Sequence, residues 1–415
     1  VASPIGVVGK EGELRVAPVS LLDPAHERSL MDDALRAGAM RAPLLAALGL
    51  PASTPCHVVD AKYEPGSSAT VLYQLGAQLV TAVVSFGAEP GDDAQGGVQV
   101  GPGVRAFAFP DDPRLPGLRV AADPQALAAA LAVDTGTRLR VTLLRYRPGK
   151  RATLRIDLRG KGEPLTLIGK VYAKGDKAAA VYDETRRLSA ALGDAPPVLV
   201  GPAEAIVPTI PMVLWRSIPG EDLESRLASQ RGPELMAAVA EGLAALHAVD
   251  PVSERRRPVA AELARFDLRA SNIERVSPEL GRSLRTWAAA LCERGESLQH
   301  PAPGLVHGDC KPSQFWLTAS TLALLDFDHC GLADPASDVG TFLASLRQHS
   351  HAALETPFLD AYTRAAGDGD GRQRAVWYES VALLRKALRA FSRSPRSPVP
   401  QRLAVEGLDC LGAVV

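Results

Sequence analysis

Two blocks of this chain repeat one another. VVDAKYEPGSSATVLYQLGA, from Val58, matches VTLLRYRPGKRATLRIDLRG, from Val141, at a constant offset: Tyr63-Glu64-Pro65-Gly66 falls on Tyr146-Arg147-Pro148-Gly149, and Ala69-Thr70-Val71-Leu72 on Ala152-Thr153-Leu154-Arg155. A repeated block of this length is one structural unit used twice, and alternating apolar residues around Pro-Gly turns make each copy a three-stranded meander. In the first copy the strands are expected over 57–63, 69–75 and 78–86. The third strands differ in chemistry. The first copy reads TAVVSF there, whereas the second, over 165–173, reads LIGKVY and holds Lys170 among Leu167, Ile168, Val171 and Tyr172. An ammonium on a central strand cannot stay unpaired, because burying an isolated charge is costly. A helix expected over 177–192 and stopped at Gly193 places Glu184 on the same stripe as Val181 and Leu188, and a glutamate on a buried face needs a cation.

The second constraint is the stretch GLVHGDCKPSQFWLTASTLALLDFDHCGLADPASDVGTFLASL, residues 304–346. Its apolar runs at 315–317 and 322–327 are too short for helices and read as a hairpin turned near Ala319-Ser320. Asp309 and Asp326 then lie at the same end of a two-stranded unit. Such a placement suits a reaction in which one carboxylate orients a hydroxyl while another holds a metal on a phosphate. Asp338 opens an apolar helical run and reads as its cap. His307 reads as a buried histidine bonded to backbone carbonyls.

The segment HGDCKPSQ, followed by Asp326-Phe327-Asp328, resembles the aminoglycoside phosphotransferase and choline kinase group of small-molecule kinases, which share the protein-kinase fold. Carried over by that resemblance, Asp309 is the catalytic carboxylate facing the acceptor hydroxyl and Lys311 lies against the transferred phosphate. Gln314 and Asp326 bind magnesium, with Gln314 standing where Asn is commoner. Asp328 either faces a second metal position or holds the turn, and Asp338 also braces the catalytic loop. The resemblance pairs Glu184 with Lys170, whose ammonium reaches the α and β phosphates. It makes IVPTIPMVLWR, residues 206–216, and Ser217-Ile218-Pro219-Gly220 the strand and hinge between lobes, with backbone groups near Arg216 and Ile218 meeting adenine. The turn 147–151 lacks a GxGxxG pattern, so either Lys150 or Arg151 covers the phosphates or the turn carries only a solvated charge cluster.

At 415 residues the chain is long enough for two or three domains, and its 46% hydrophobic and 22% charged content is that of a soluble globular protein. A formal net charge of −1 excludes a nucleic-acid partner recognised by bulk electrostatics. No apolar run approaches the roughly twenty residues of a membrane span. Five cysteines, at 56, 292, 310, 330 and 410, form no CxxC spacing, so a reducing, cytoplasmic compartment is expected. Cys310 and Cys330 either fill space beside the catalytic loops or, with His329, hold a metal.

Elsewhere an alanine-rich amphipathic segment spans about 30–50, and the Gly- and Asp-rich region 92–103 reads as a mobile loop. Asp123-Pro124 starts a helix through 131. Further helices are expected over 221–228, 233–247, 286–292, 358–366 and 376–391. The arginines at 255–257, 265 and 269 read as a solvated face.

The fold expected is α+β: a bilobal protein-kinase-like fold with a β-rich N-lobe and a mostly helical C-lobe, preceded by an extra β-rich N-terminal domain. Residues 1–136 form that extra domain, whose copy of the meander lacks nucleotide-site charges. Residues 137–219 form the nucleotide lobe and hinge, and 220–415 the helical lobe. The reaction expected is transfer of the γ-phosphate of ATP or GTP, with Mg2+, to a hydroxyl of a small molecule such as an aminoglycoside or other antibiotic, sugar, nucleoside or amino alcohol. A non-catalytic nucleotide binder on the same fold is opposed by the joint retention of Asp309, Lys311, Gln314, Asp326 and Lys170. A protein kinase is opposed by the short interval between Asp326 and Asp338, which leaves no segment to dock a peptide.

Overall fold

The computed structural model of the chain describes residues 6–8, 14–16, 23–86, 96–160, 163–193, 196–229, 231–299, 301–369 and 371–412. The chain packs as two compact units, and neither is contiguous. One comprises Val1–Pro116, Ala264–Thr286 and Lys386–Arg402; the other comprises Gly117–Leu263, Trp287–Arg385 and Leu403–Val415.

In the first unit a short hairpin of β1 (Gly6–Val8) and β2 (Leu14–Val16) precedes helices α1 (Pro24–Leu35) and α2 (Ala37–Leu48). Asp23 caps α1 by accepting the Ala25 N–H, with Pro24 at the first helical position. The alanine-rich segment is therefore two helices. Arg36 separates them in an extended conformation, its N–H turned back onto the Asp33 carbonyl and its guanidinium onto the Asp33 carboxylate.

β3 (Cys56–Glu64), β4 (Ser68–Leu75) and β5 (Gln78–Ser85) form the expected meander. Two strands follow it, β6 (Val98–Gly101) and β7 (Val104–Ala108), and the five lie in the order β3-β4-β5-β7-β6. The mobile loop read over 92–103 is thus in part a strand, because Val98 and Gln99 pair with Ala106 and Arg105; residues 92–95 lie outside the described residues.

The second unit opens with α3 (Leu118–Ala122) and α4 (Pro124–Ala130), the latter capped by Asp123, which accepts the Ala126 N–H at 2.7 Å as its sequence predicts. Then come β8 (Arg138–Arg147), β9 (Arg151–Arg159), β10 (Leu165–Tyr172), α5 (Gly175–Leu192), β11 (Val198–Leu199), β12 (Ala203–Val207) and β13 (Met212–Arg216). The sheet order is β12-β13-β10-β9-β8. Read from its other edge, this is the order of the first sheet, with the fifth strand again between the third and the fourth. The duplication therefore extends beyond the meander to a whole five-stranded sheet. The hairpins agree in register as well, Tyr63 pairing with Ala69 and Tyr146 with Ala152. Both turn through a proline followed by a left-handed glycine, Gly66 (φ 78°) or Gly149 (φ 67°), a position that disfavours any side chain. Tyr172, Ala178, Val181, Ala203 and Val213 form an apolar core that anchors α5 to the second sheet.

Beyond β13 the chain enters β14 (Glu221–Asp222), α6 (Gly232–His247), α7 (Val259–Val276) and α8 (Pro278–Glu296). A strand and a 3-10 turn, Glu224–Arg226, replace the helix expected over 221–228. Glu221 instead pairs with Leu317. β15 (Gly304–Val306), β16 (Phe315–Leu317), β17 (Leu322–Leu324) and β18 (Gly331–Ala333) carry the loops of the candidate site, followed by α9 (Ala336–Gln348), α10 (Glu355–Ala366), α11 (Gly371–Arg393) and α12 (Val399–Gly412). β16 and β17 form the hairpin read from the sequence. In this unit the helices bury Trp287, whose Nε1 donates to Ser380 Oγ (2.9 Å), and Trp377, whose Nε1 donates to the Leu291 carbonyl (3.1 Å).

Candidate active site

Every residue of the candidate site lies in the second unit. Its floor is the loop after β15. His307 is fully buried, and its Nε2 lies 2.9 Å from the Leu325 carbonyl while its Nδ1 lies 3.3 Å from the Asp309 N–H. A carbonyl only accepts and an N–H only donates, so the ring is the tautomer protonated at Nε2. The same ring meets Phe327 edge-on, 4.8 Å between centroids. His307 thus ties the Asp309 loop to the Asp326-Phe327-Asp328 loop, and it is the backbone-bonded histidine that the sequence suggests.

Asp338 braces that loop from α9. Its carboxylate accepts the N–H groups of His307 (2.6 Å) and Gly308 (2.8 Å) and meets His247 Nε2 at 3.2 Å, while His247 Nδ1 meets the Tyr362 hydroxyl at 2.7 Å. Burial pushes the Asp338 carboxyl up, but the bonds from His247 and the Gly308 amide outweigh it and hold the group low. Capping is left to Asp334, which accepts the Ala336 N–H. Gly308 is left-handed (φ 79°), and a Cβ there would fall 2.0 Å from Arg257 Nη1 and 2.3 Å from the His329 carbonyl. Only glycine fits.

On this loop Asp309 accepts from Lys311 Nζ at 2.6 Å. Gln314 is buried on the 3-10 turn Pro312–Gln314, and its carbonyl takes the Leu325 N–H at 2.9 Å, which sets it beside the chain leading to Asp326. Asp326 itself is left-handed (φ 68°, ψ 58°), a conformation that non-glycine residues adopt rarely and mostly at functional turns.

Lys170 stands on the central strand β10 with its Nζ 2.7 Å from Asp326 Oδ1, 3.4 Å from Asp328 Oδ1 and 5.4 Å from the Trp215 ring centre. Opposite Tyr172 on the neighbouring strand is Arg151. Its guanidinium reaches Asp326 through Nη1 (3.4 Å) and Nη2 (3.3 Å) and forms an ion pair with Asp328. Tyr172 donates its hydroxyl to Asp328 Oδ1 at 2.7 Å, and Lys177 Nζ donates to the Asp328 carbonyl at 2.6 Å. Burial works against both charges of the Lys170–Asp326 pair. For the carboxyl, however, two facing cations prevail, and Asp326 is held well below the usual carboxylate range.

The pairing of Glu184 with Lys170 is corrected here. Glu184 is buried on α5 as expected, but it accepts from Ser253 Oγ (2.7 Å) and lies 3.6 Å from Arg255, because Lys170 is drawn to two carboxylates across the cleft. The solvated arginine face is corrected as well. Arg255 donates to the carbonyls of Asp328 and Cys330 (both 3.1 Å), and Arg257 donates to those of Gly308 and His329. These arginines pin the two functional loops through backbone groups. Arg256 and Arg265 are exposed, while Arg269 donates to the Leu388 carbonyl at 3.2 Å. Sequence reasoning also passed over Ser253, Tyr172 and Tyr362; the one usable signal was for Tyr172, two residues from Lys170 and hence on its face of the strand.

At the proposed hinge Arg216 pairs its guanidinium with Glu204 (2.8 Å), and the Ser217 N–H bonds the Thr166 carbonyl at 3.0 Å. The Ile218 side chain lies over Gly201, half-buried.

Asp326, Asp328 and the Gln314 amide are hard oxygen donors of the type Mg2+ takes, so the donor chemistry fits that ion. Among the described residues no group of three or more His, Cys, Asp or Glu is placed to hold an ion. An ion here would need oxygens from a bound phosphate. The same observation leaves Cys310, Cys330 and His329 without a metal site. Both thiols are buried, and burial pushes Cys310 well up and Cys330 to about 12. They are space-filling and inert.

A β-rich lobe carrying a strand lysine and a buried helix glutamate, joined to a helical lobe with a braced Asp309 loop and an Asp326 loop, defines a protein-kinase-like fold. The chain matches the phosphotransferase enzyme family (APH) over residues 147–378, more than half its length, and belongs to that family. It is a phosphotransferase. Three solved structures share the fold. The choline kinase from Cryptosporidium parvum Iowa II is 12% identical with a TM-score of 0.51, covering 66% of this chain and 90% of its own. A thermostable aminoglycoside phosphotransferase APH(4)-Ia mutant, in ternary complex with ADP and hygromycin B, is 12% identical at 0.51, covering 71% and 97%. The choline kinase LicA from Streptococcus pneumoniae is 13% identical at 0.50, covering 70% and 98%. A comparison with curated proteins finds no match. Among the described residues no helix is long and apolar enough to cross a membrane.

Proposed function

We propose that this phosphotransferase moves the γ-phosphate of ATP or GTP to a hydroxyl of a small molecule, with Asp309 on the acceptor side and Asp326 on the nucleotide side. The observation that carries the reading is the tie made by His307, which fixes the loop of one carboxylate to the loop of the other. Asp309 orients the acceptor hydroxyl and receives its proton as the new ester bond forms. Lys311, now 2.6 Å from Asp309, is within reach of a phosphoryl group placed between them. Lys170 neutralises phosphate oxygens, and the backbone near Arg216 and Ile218 meets the base. When bound by Asp326 and Gln314, Mg2+ would neutralise charge on the phosphate oxygens.

Little covalent work falls to the chain, so placement and charge account for the rate. The ADP and hygromycin B in the complex of one structural neighbour, and the choline kinases among the others, support a nucleotide donor and a small hydroxyl acceptor. The test is incubation of the protein with labelled ATP or GTP, Mg2+ and a panel of aminoglycosides, other antibiotics, sugars, nucleosides and amino alcohols. Label on one acceptor class identifies the substrate. Transfer to casein and to none of the small molecules would overturn the reading.

A further inference from the structure

The two acids that face the proposed nucleotide are already neutralised from within. Asp326 and Asp328 supply two negative charges; Lys170 and Arg151 supply two positive ones, and each cation touches both acids. The two cations differ in what holds them. Lys170 is on the middle strand of its sheet, between β13 and β9. Arg151 begins β9, directly after the Arg147-Pro148-Gly149-Lys150 turn, and its side chain is 13% exposed. Asp328 does not depend on Arg151 for its orientation, since the Tyr172 hydroxyl and Lys177 also fix it. A guanidinium binds phosphate oxygens in the same forked geometry that it uses for a carboxylate.

We propose that Arg151 is a phosphate-positioning residue that, in the nucleotide-free chain, stands in for the divalent ion on Asp326 and Asp328. Incoming polyphosphate takes the guanidinium from the two carboxylates, and the oxygens it releases become available to the ion. No bond is made or broken; one cation is exchanged for another. The ion therefore binds with or after the nucleotide and not before it. This agrees with the absence, among the described residues, of any acid cluster able to hold an ion unaided. The inference rests on the nucleotide-dependent reading above.

The test uses the full chain, Mn2+ as the probe ion followed by electron paramagnetic resonance, and a non-hydrolysable ATP analogue titrated calorimetrically in EDTA. Arg151→Ala is expected to bind Mn2+ without nucleotide at least about ten-fold more tightly than wild type. It should also bind the metal-free analogue at least about ten-fold more weakly, as expected for loss of one charge-assisted contact. Arg155→Ala, on the same strand but paired with Asp157 and half exposed, should change neither value. Should Arg151→Ala not fold, Arg151→Gln gives the same two readings. Unchanged Mn2+ affinity in the variant, or unchanged affinity for the metal-free analogue, overturns the role of Arg151 while leaving a wild type that binds nucleotide. A wild type that binds neither ATP nor GTP analogue, with or without Mn2+, overturns the underlying reading instead.

Discussion

Asp309 accepts from Lys311 on its own loop, a bond that an amide oxygen can also take. Asp309→Asn keeps the shape beside Lys311 and leaves Asp326, Lys170 and the Asp338 brace in place. Turnover should fall roughly a hundred-fold or more, with calorimetric affinity for an ATP analogue close to wild type. A variant with wild-type turnover removes Asp309 from the acceptor side. At this scale the sequence pointed to candidate residues more readily than to their partners. The resemblance carried by HGDCKPSQ and DFD put forward Asp309, Lys311, Gln314 and Asp326, and the structure sets their loops side by side. The partner of Glu184 was not legible, because Ser253 lies 69 positions away and only tertiary packing brings the two together. Arg151 was in view only as one of two cations on a turn: its place opposite Tyr172, and so its hold on both acids, depends on strand register, which the turn alone does not settle.

Among elements, the strands of the two meanders were the most legible, since Pro-Gly turns and alternation mark a hairpin on both sides. β6 was missed because a short edge strand with glycine on both sides gives no alternation to read. Helices were found where apolar stripes were strong, as in α5, α6 and α11, and misjudged at 221–228, where pairing with β16 overrides local preference. One inter-helix contact sets a pH dependence. Arg347 on α9 is shared by Glu379 of α11 (2.6 Å) and Glu355 of α10 (2.8 Å), so two carboxylates face one guanidinium. Burial first, then the Glu379 charge, lifts the Glu355 carboxyl from 4.5 to about 7 against the pull of Arg347. Between those values the folded chain keeps a proton that the unfolded chain has released. The stabilisation this gives shrinks as pH rises through the window and is gone above about 7. Glu355→Gln has no proton to lose, so its Tm relative to wild type should climb as pH is raised from about 5 to about 8. A difference that stays flat across that range would refute the raised Glu355 carboxyl.

For the molecule as a whole, two sheets of one strand order need not mean two nucleotides. In the first sheet Val83 occupies the place of Lys170, each lying opposite the equivalent threonine, Thr70 or Thr153. The Pro-Gly turn is also filled: Glu27, fully buried on α1, accepts the Gly66 N–H (2.7 Å) and the Tyr63 hydroxyl (2.8 Å). A carboxylate already on the turn excludes a phosphate by charge. Calorimetry with a non-hydrolysable ATP analogue should give one site per chain, lost in Lys170→Ala; a stoichiometry near two would show that the first sheet is a working nucleotide lobe. Nor can that sheet be trimmed away. Within its unit Tyr63 packs on Phe391 (5.9 Å between centroids), Arg28 donates to the Val276 carbonyl (2.9 Å) and Glu27 faces Arg275 (4.0 Å). A chain begun at residue 117 keeps every candidate catalytic residue yet loses Tyr63 from Phe391 and the rest of the unit that Ala264–Thr286 and Lys386–Arg402 belong to. Its soluble yield and thermal transition should fall sharply against the full chain. The same layout governs events on the ribosome. Residues 1–116 emerge ahead of the second unit, but the segment Lys386–Arg402 that completes their own unit follows only after the whole second sheet and most of the helices. At ordinary rates of synthesis the first sheet waits for on the order of tens of seconds before its last partner arrives.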